Sequence, residues 1–315
     1  MWRFILRRLG FFLFTLFLTS LLIFTLTRVL PGDVARVLLG REASEADVAA
    51  KRTELGLDKP LVVQYVDWVR SFVTGDWGDT FSRPPQDIRD VVLQRTVNSL
   101  RLALMTMLLA VPLSILLGVI AGLAEGKWPD SVISLLTLSV VSLPEFVTGI
   151  FLINILALQF GLFPASSGIA PDASFQEALP SLWLPAITAT LVLMAYIARL
   201  TRAGVIEELK RDYVRTATLK GLPYRTVIFK HVLRNALIPT VTVIATSTGW
   251  LMSGLVVIEF VFSYPGLGRL LTFAIDKRDL PLIQAIVMVT VSVILVANFT
   301  ADLLYAILNP RISLR

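Results

Sequence analysis

Six apolar stretches, each long enough to cross a lipid bilayer, constrain this chain more than any other feature. They cover residues 9–26, 100–123, 132–160, 182–200, 236–262 and 282–308. About 20 residues rising 1.5 Å each traverse the hydrocarbon. The 315 residues are 55% hydrophobic and 17% charged, with a mean hydropathy of +0.75. A water-soluble domain is less apolar and more charged. The excess is gathered into runs, which predicts an all-α polytopic membrane protein with six transmembrane helices.

The first run follows Arg3, Arg7 and Arg8. It is too long for the apolar core of a cleaved signal, and no small-x-small cleavage site precedes Pro31, so it reads as a retained span. Run 100–123 carries Pro112 and the spacing Gly118-x-x-x-Gly122, which permits close helix packing. Run 132–160 is longer than one crossing needs and holds Pro144 near its middle. Run 182–200 has Pro185 near its start.

Basic residues set the topology. Residues 161–180 contain no Lys or Arg and read as outside. The stretch 199–235 contains Arg199, Arg202, Lys210, Arg211, Arg215, Lys220, Arg225, Lys230 and Arg234, and reads as inside. Arg311 and Arg315 put the tail inside, and the N-terminal arginines agree, so both termini are expected in the cytoplasm. The expected organisation is an N-terminal span (1–30), an extracytoplasmic region (31–95), a membrane core (96–308) and a cytoplasmic tail (309–315). Within 31–95, residues 43–55 and 61–72 read as short helices.

The net charge of +6 does not indicate nucleic acid, because the basic residues lie in loops and lack an aromatic–basic platform. There is no cysteine, and His231 is the one histidine, so disulfides, thiolate metal sites and multi-histidine sites are excluded.

The loop 201–235 is too long for a tight turn. Ile206, Leu209, Tyr213 and Ala217 recur at helical spacing, with Glu207–Arg211 and Asp212–Arg215 spaced to pair on the other side. Gly221 occupies the place of a terminating glycine, and Pro223 suits the start of a second helix. The stretch reads either as a solvated basic loop or as a helix–turn–helix dock for a cytoplasmic partner. A rigid pair can act as a lever; a slack loop cannot.

The run Asp212-Tyr-Val-Arg-Thr-Ala-Thr-Leu-Lys-Gly-Leu222, followed by His231-Val-Leu-Arg-Asn-Ala-Leu-Ile-Pro239, resembles the coupling loop of ABC-importer permeases, specifically the dipeptide/oligopeptide/nickel branch. The general signature is Glu-Ala-Ala, three residues, then Gly. Here Arg215-Thr216-Ala217 precede Thr218-Leu219-Lys220-Gly221, departing at the first two positions. The spacing from Gly221 to Ile238-Pro239 is also longer than in sugar-type permeases. The resemblance extends along the chain through Leu30-Pro-Gly-Asp33, Leu55-Gly-Leu-Asp-Lys-Pro60, Gly75-Asp-Trp-Gly78, Phe262-Ser-Tyr-Pro-Gly-Leu-Gly268, Arg278-Asp-Leu-Pro281 and Asn309-Pro-Arg-Ile312.

The resemblance implies a permease subunit, not an enzyme, that pairs with a second similar membrane subunit. It implies two ATPase subunits on the cytoplasmic side and an extracytoplasmic substrate-binding protein. Arg215, Thr216, Ala217, Lys220 and Gly221 would then form the ATPase-coupling site, with Gly221 supplying the turn and Ala217 close packing. The chain has no Gly-x-x-x-x-Gly-Lys-Ser/Thr phosphate loop, so ATP and Mg belong to partner subunits. The implied cargo is a di- or oligopeptide; nickel chelates, glutathione, opines and glycosides are alternatives within the branch.

Glu145, Asn154 and Glu259 are the candidates for lining the pathway. A carboxylate at bilayer depth faces a cavity or a partner. Glu145 therefore either lies near a peptide ammonium or meets water or a neighbouring donor. Glu259 is either interfacial and solvated or part of an outer gate, and Asn154 and Asn298 suit interhelical hydrogen bonds. An ion-coupled secondary transporter would show paired intramembrane acids and matching broken helices, and Glu145 stands nearly alone.

Overall fold

Lipid offers no partner to backbone N–H and C=O groups, so apolar runs of this kind satisfy them internally as helices. The computed structural model describes residues 2–29, 34–39, 42–82, 84–170 and 173–308, and they are overwhelmingly helical. Five helices are long and apolar enough to cross a membrane, and a bent pair makes a sixth. The motifs at 30–33 and 309–312, and the tail arginines, lie outside the described residues.

The contacts divide into two units. The first comprises Met1–Asn98 and Gly266–Leu295. It holds α1 (Trp2–Val29), α2 (Val34–Leu39), α3 (Glu45–Glu54), α4 (Leu61–Thr74), the start of α5 (Ile88–Leu123), α12 (Leu267–Lys277) and most of α13 (Leu280–Leu308). The two short helices expected in 31–95 are present as α3 and α4. Ser44 caps α3 by accepting from the Asp47 N–H, and Gly75 ends α4 at φ 82°. One face of α4 packs on α1 through Tyr65 and Trp68 against Phe24, while Phe72 adjoins Trp68 and stacks on Trp77 at 4.9 Å.

The helix α12 was not expected. Leu267, Leu270, Leu271 and Ala274 lie at helical spacing and pack with Ile88, Val92, Leu282 and Ile286. Arg278 takes a left-handed conformation after α12. Asp279 then accepts from the Phe81 N–H (2.6 Å) and the Leu282 N–H (3.2 Å), so it fastens the segment before α5 to the start of α13. Burial pushes the Asp279 carboxyl above the usual carboxylate range, against the opposing pull of those two donors.

The second unit comprises Ser99–Pro265 and Val296–Arg315. It contains the rest of α5, α6 (Trp128–Val141), α7 (Glu145–Leu152), α8 (Phe175–Leu209), α9 (Asp212–Leu219), α10 (Tyr224–Thr226) and α11 (Leu233–Val261). Run 132–160, expected as one kinked span, is two helices bent by 105°. Pro144 lacks an N–H and disfavours helical geometry at Leu143, so α6 stops at Val141 and α7 restarts after Pro144. Beyond Leu152 the helix widens to π geometry over Ile153–Gln159.

Gly118 and Gly122 do set the α5–α8 contact. A Cβ on Gly118 would lie 2.5 Å from the Thr201 Cβ and 2.6 Å from the Ala198 carbonyl oxygen; one on Gly122 would lie 2.7 Å from the Val205 Cβ. Gly204 performs the same service between α8 and α11, where a Cβ would stand 2.7 Å from the Ala236 carbonyl oxygen.

Candidate functional site

The stretch 201–235 is not a loop between spans but mostly helix. α8 runs on to Leu209, and α10 widens to π geometry over Val227–Val232 and continues directly into α11. What projects is α9, eight residues between two turns. The expected stripe Ile206–Leu209–Tyr213–Ala217 therefore spans two helices, broken at Lys210–Arg211. The break lets Ala217 and Val214 pack against Val205, Val227, Ile228 and Val232, with Val119 and Leu123 of α5 adjoining.

The second turn behaves as expected. Gly221 sits at φ 75°; its N–H donates to Thr218 O (2.9 Å) and the Leu222 N–H to Ala217 O (3.3 Å). Tyr213 fastens α9 to both long helices: its hydroxyl donates to Glu208 (2.6 Å) and accepts from the Asn235 amide (3.3 Å). Burial raises the Tyr213 phenol above its ordinary range, so it remains a neutral donor. Glu207–Arg211 pairs at 2.7 Å as its spacing predicts. Asp212–Arg215 does not pair; both side chains point into solvent.

Of the five expected coupling residues, Arg215, Thr216, Lys220 and Gly221 are exposed, and Ala217 is buried. Ala217 can therefore act only by packing within the chain. Sequence reasoning missed the apolar surface around the turn. Leu219 is 80% exposed, Tyr224 67% and Phe229 71%. Leu219 lies off the inward stripe, two residues before a terminating glycine, and that was the available signal.

A second fastening was also missed. Asp130 is buried at the start of α6 and receives Nε (2.5 Å) and Nη2 (2.8 Å) of Arg202 in a bidentate pair. The Gly126 N–H (3.0 Å) and the Ser134 hydroxyl (3.2 Å) complete the carboxylate's shell. Lys210 reaches Glu125 at 3.0 Å. The turn between α5 and α6 is thus tied to the part of α8 that carries α9. Asp130→Ala and Arg202→Ala are each expected to lower the thermal midpoint of the purified protein. Breaking a buried pair costs up to about 3–5 kcal/mol, an upper bound here because the Arg202 side chain is 33% exposed. The double variant is expected to lose less than the sum, with a coupling of about 0.5–3 kcal/mol; simple additivity in the double-mutant cycle would remove the pair as a fastening.

The candidate pathway residues separate. Glu259 is 1% exposed and accepts from the Ser99 hydroxyl on α5, so the interfacial, solvated alternative is wrong. Glu259 lies two residues before the end of α11, on a face covered by α5. Asn154 is exposed and accepts from the Gln159 amide (2.8 Å), a contact within its own helical segment and not an interhelical one. Asn298 does face another helix: a Cβ on Gly249 of α11 would lie 2.5 Å from its Oδ1. Glu145 is half-buried against Gly254 of α11 and forms no hydrogen bond or ion pair among the described residues. Among those residues no group of three or more acidic or histidine side chains is placed to hold a metal.

Residues 114–314 match the family model described as binding-protein-dependent transport system inner membrane component, and residues 1–86 match the model for the N-terminal part of such membrane components. The glutathione transport system permease protein GsiC of Escherichia coli strain K12 is 37% identical over 313 residues, covering 99% of each chain. The protein of the same name from Shigella flexneri serotype 5b is similar to the same degree. A crystal structure of an amino acid ABC transporter with histidines shares the fold at a TM-score of 0.51 and 16% identity, over 70% of this chain and 94% of that one.

Proposed function

Because the chain belongs to the binding-protein-dependent transport system inner membrane component family, we propose that it forms half of the translocation pathway of an ATP-driven importer of small peptides. Membership makes it a multi-pass inner-membrane permease subunit of an ABC importer, working with ATPase and binding-protein partners. Glutathione, the cargo named for the relatives from E. coli and Shigella, is itself a tripeptide and falls within the proposed class. Two ATPase subunits and one further permease subunit complete the proposed assembly, with both termini of this chain in the cytoplasm.

The exposed, rigidly mounted α9 is the observation that carries the coupling role. A patch of Leu219, Tyr224 and Phe229 rimmed by Arg215, Lys220 and Arg225 has the composition of a docking knob, with apolar anchors inside a charged rim. In this reading the knob sits in a groove of an ATPase subunit. Motion of that subunit passes through Tyr213 and the buried cluster around Ala217 into α8 and α11. Glu145 lines the pathway, whereas Asn154 and Glu259, by their contacts, serve the helices around it.

The absence of native cysteine makes the test clean. Lys220→Cys in the assembled transporter is expected to react with a membrane-impermeant thiol reagent only in inside-out vesicles, and to be shielded when the ATPases are bound. Leu219→Asp is expected to reduce ATPase co-purification at least about tenfold, the effect of losing one buried anchor. Labelling of Lys220→Cys from the exterior of intact cells would defeat the proposal.

A further inference from the structure

Helix α4 carries a second apolar face that stays uncovered among the described residues. Its aromatic face, Tyr65 and Trp68, meets Phe24 of α1. At about 3.6 residues per turn, Val62, Val66, Val69 and Val73 form a separate stripe roughly a quarter-turn round the helix. Val62 is 74% exposed, Val66 55% and Val73 78%. Asp67, Arg70 and Thr74 are exposed on the far side, where Asp67 pairs with Lys59 at 2.8 Å; Val63 interrupts that polar arc. The rotation is fixed. The Ser20 hydroxyl donates to Phe17 O (2.7 Å), so the Tyr65 phenol, 2.7 Å away, donates to Ser20. Gln64 Nε2 donates to Leu57 O (3.0 Å) and Lys59 O (2.6 Å), which holds the turn leading into α4. At the far end the Trp77 indole donates to Phe72 O (2.9 Å). A helix pinned at its start, middle and end cannot roll to hide the valines.

What lies against the stripe follows from its depth. The first candidate span is Ile5–Arg28. Ser20 stands eight residues before its end and Phe24 four, about 12 Å and about 6 Å at 1.5 Å per residue. The α4 contact therefore falls within the last turns of the span and not beyond it. Leu22 and Leu26 bracket Phe24 along α1 and are exposed, so lipid reaches that level of the span. The aromatic contacts on Phe24 end at Trp68, and Phe72, one turn on, stacks on Trp77 instead. Thus α4 lies across α1 and does not run along it. A helix lying across a span at this depth meets α1 on one flank, water on its polar arc and acyl chains on the flank that remains.

We propose that α4 is a membrane-surface helix, seated in the lipid interface at the Arg28 end of α1. Val62, Val66, Val69 and Val73 enter the acyl boundary, and Asp67, Arg70 and Thr74 stay among the headgroups. An interfacial helix sinks its apolar face about 5–10 Å, which matches a crossing about 6 Å short of the end of the span. Tyr65 and Trp68 then stand in the belt where amphipathic rings gather. The Arg28 guanidinium, 5.2 Å from the centroid of the Phe24 ring, sits at the same boundary. The segment after α1 was expected only as an extracytoplasmic region; this assignment moves α4 from water to the membrane surface. It depends neither on the cargo nor on which side of the membrane that end of α1 faces.

The test uses the complete transporter in liposomes and exploits the absence of native cysteine. Val62→Cys, Val66→Cys, Val73→Cys, Asp67→Cys, Arg70→Cys and Thr74→Cys each receive a nitroxide label. Collisions with oxygen, which concentrates in hydrocarbon, are compared with collisions with a nickel chelate, which stays in water. Oxygen is expected to dominate at 62, 66 and 73, and the chelate at 67, 70 and 74, so the preference alternates with the helical period inside one segment. Dominance of the chelate at all six positions would place α4 in water and overturn the assignment. Valine positions shielded from both reagents would mean a protein cover, such as a second permease subunit, and would overturn it as well. Labels that become shielded only when the binding protein is added would give the stripe to that protein, with the same consequence. A second measurement needs no substitution: a phospholipid carrying a photoreactive group in its acyl chain is irradiated with the unmodified transporter. Adducts are expected on the α4 valines as well as on Leu22 and Leu26 of α1; adducts on α1 without any on α4 would refute the membrane-surface helix.

Discussion

Gly221→Arg is expected to insert and fold while losing ATP-coupled uptake. Gly221 adopts φ 75°, a conformation that costs an L-residue about 1–2 kcal/mol. No other atom lies within 4 Å of where its Cβ would be, so the new side chain meets open space in the chain itself. The turn is held from elsewhere, by Ala217 in its buried cluster and by Tyr213 between Glu208 and Asn235. The folded protein can absorb the strain. The docking surface cannot absorb the arginine, which would place a large cation beside Leu219, Leu222 and Tyr224, among the exposed apolar anchors. Loss of a central anchor costs at least about 2 kcal/mol of association, so substrate-stimulated ATP hydrolysis and uptake should fall roughly thirtyfold or more. Gly221→Asn separates strain from obstruction, because asparagine tolerates the left-handed conformation, and it should retain most uptake. Normal uptake by the arginine variant in vesicles would remove α9 from coupling.

The largest effect on stability is expected from Gly118→Leu. Even the first carbon of the new side chain would meet the Ala198 carbonyl oxygen at 2.6 Å and the Thr201 Cβ at 2.5 Å. The carbonyl belongs to a helix backbone and cannot turn aside, so α5 and α8 must separate. Separation also loosens Gly122 from Val205, and with it the cluster beneath α9. Overpacking one methylene costs about 1–3 kcal/mol and occasionally more; four added carbons at a backbone contact exceed that range. The expected readout is loss of folded protein from the membrane, or a thermal midpoint too low to measure after extraction. Gly118→Ala should be intermediate. Gly10→Ala is the control: nothing lies within 4 Å of its would-be Cβ, and alanine favours the helix by about 1 kcal/mol. If Gly118→Leu gave wild-type amounts of equally stable protein, the α5–α8 contact would be wrong.

Elements whose cause is local were legible in the residues. Apolar length announced the spans, and composition announced the two short helices after the first, whose caps at Ser44 and Gly75 the structure supplied. Gly221 announced a turn because few residues other than glycine adopt that backbone cheaply. The Gly118/Gly122 spacing announced a close helix contact because periodicity puts both on one face. Pro144 announced a disturbance, but not its size: a kink and a 105° break begin from the same missing N–H, and neighbouring helices decide between them.

What the sequence by itself determined is therefore the membrane-spanning helical class, the family and the turn at Gly221, all of which follow from composition, spacing and the conformational range of single residues. Only the tertiary structure decided where α8 breaks, that Asp130 closes on Arg202 from 72 positions away, and that Leu219 faces outward while Ala217 faces in. It also decided that Glu259 is buried, whereas Glu145 is half-buried and Arg199 exposed. The physical reason is that whether a charge is paired or a side chain covered depends on what stands opposite it, and that neighbour is set by helix packing between residues far apart in the chain.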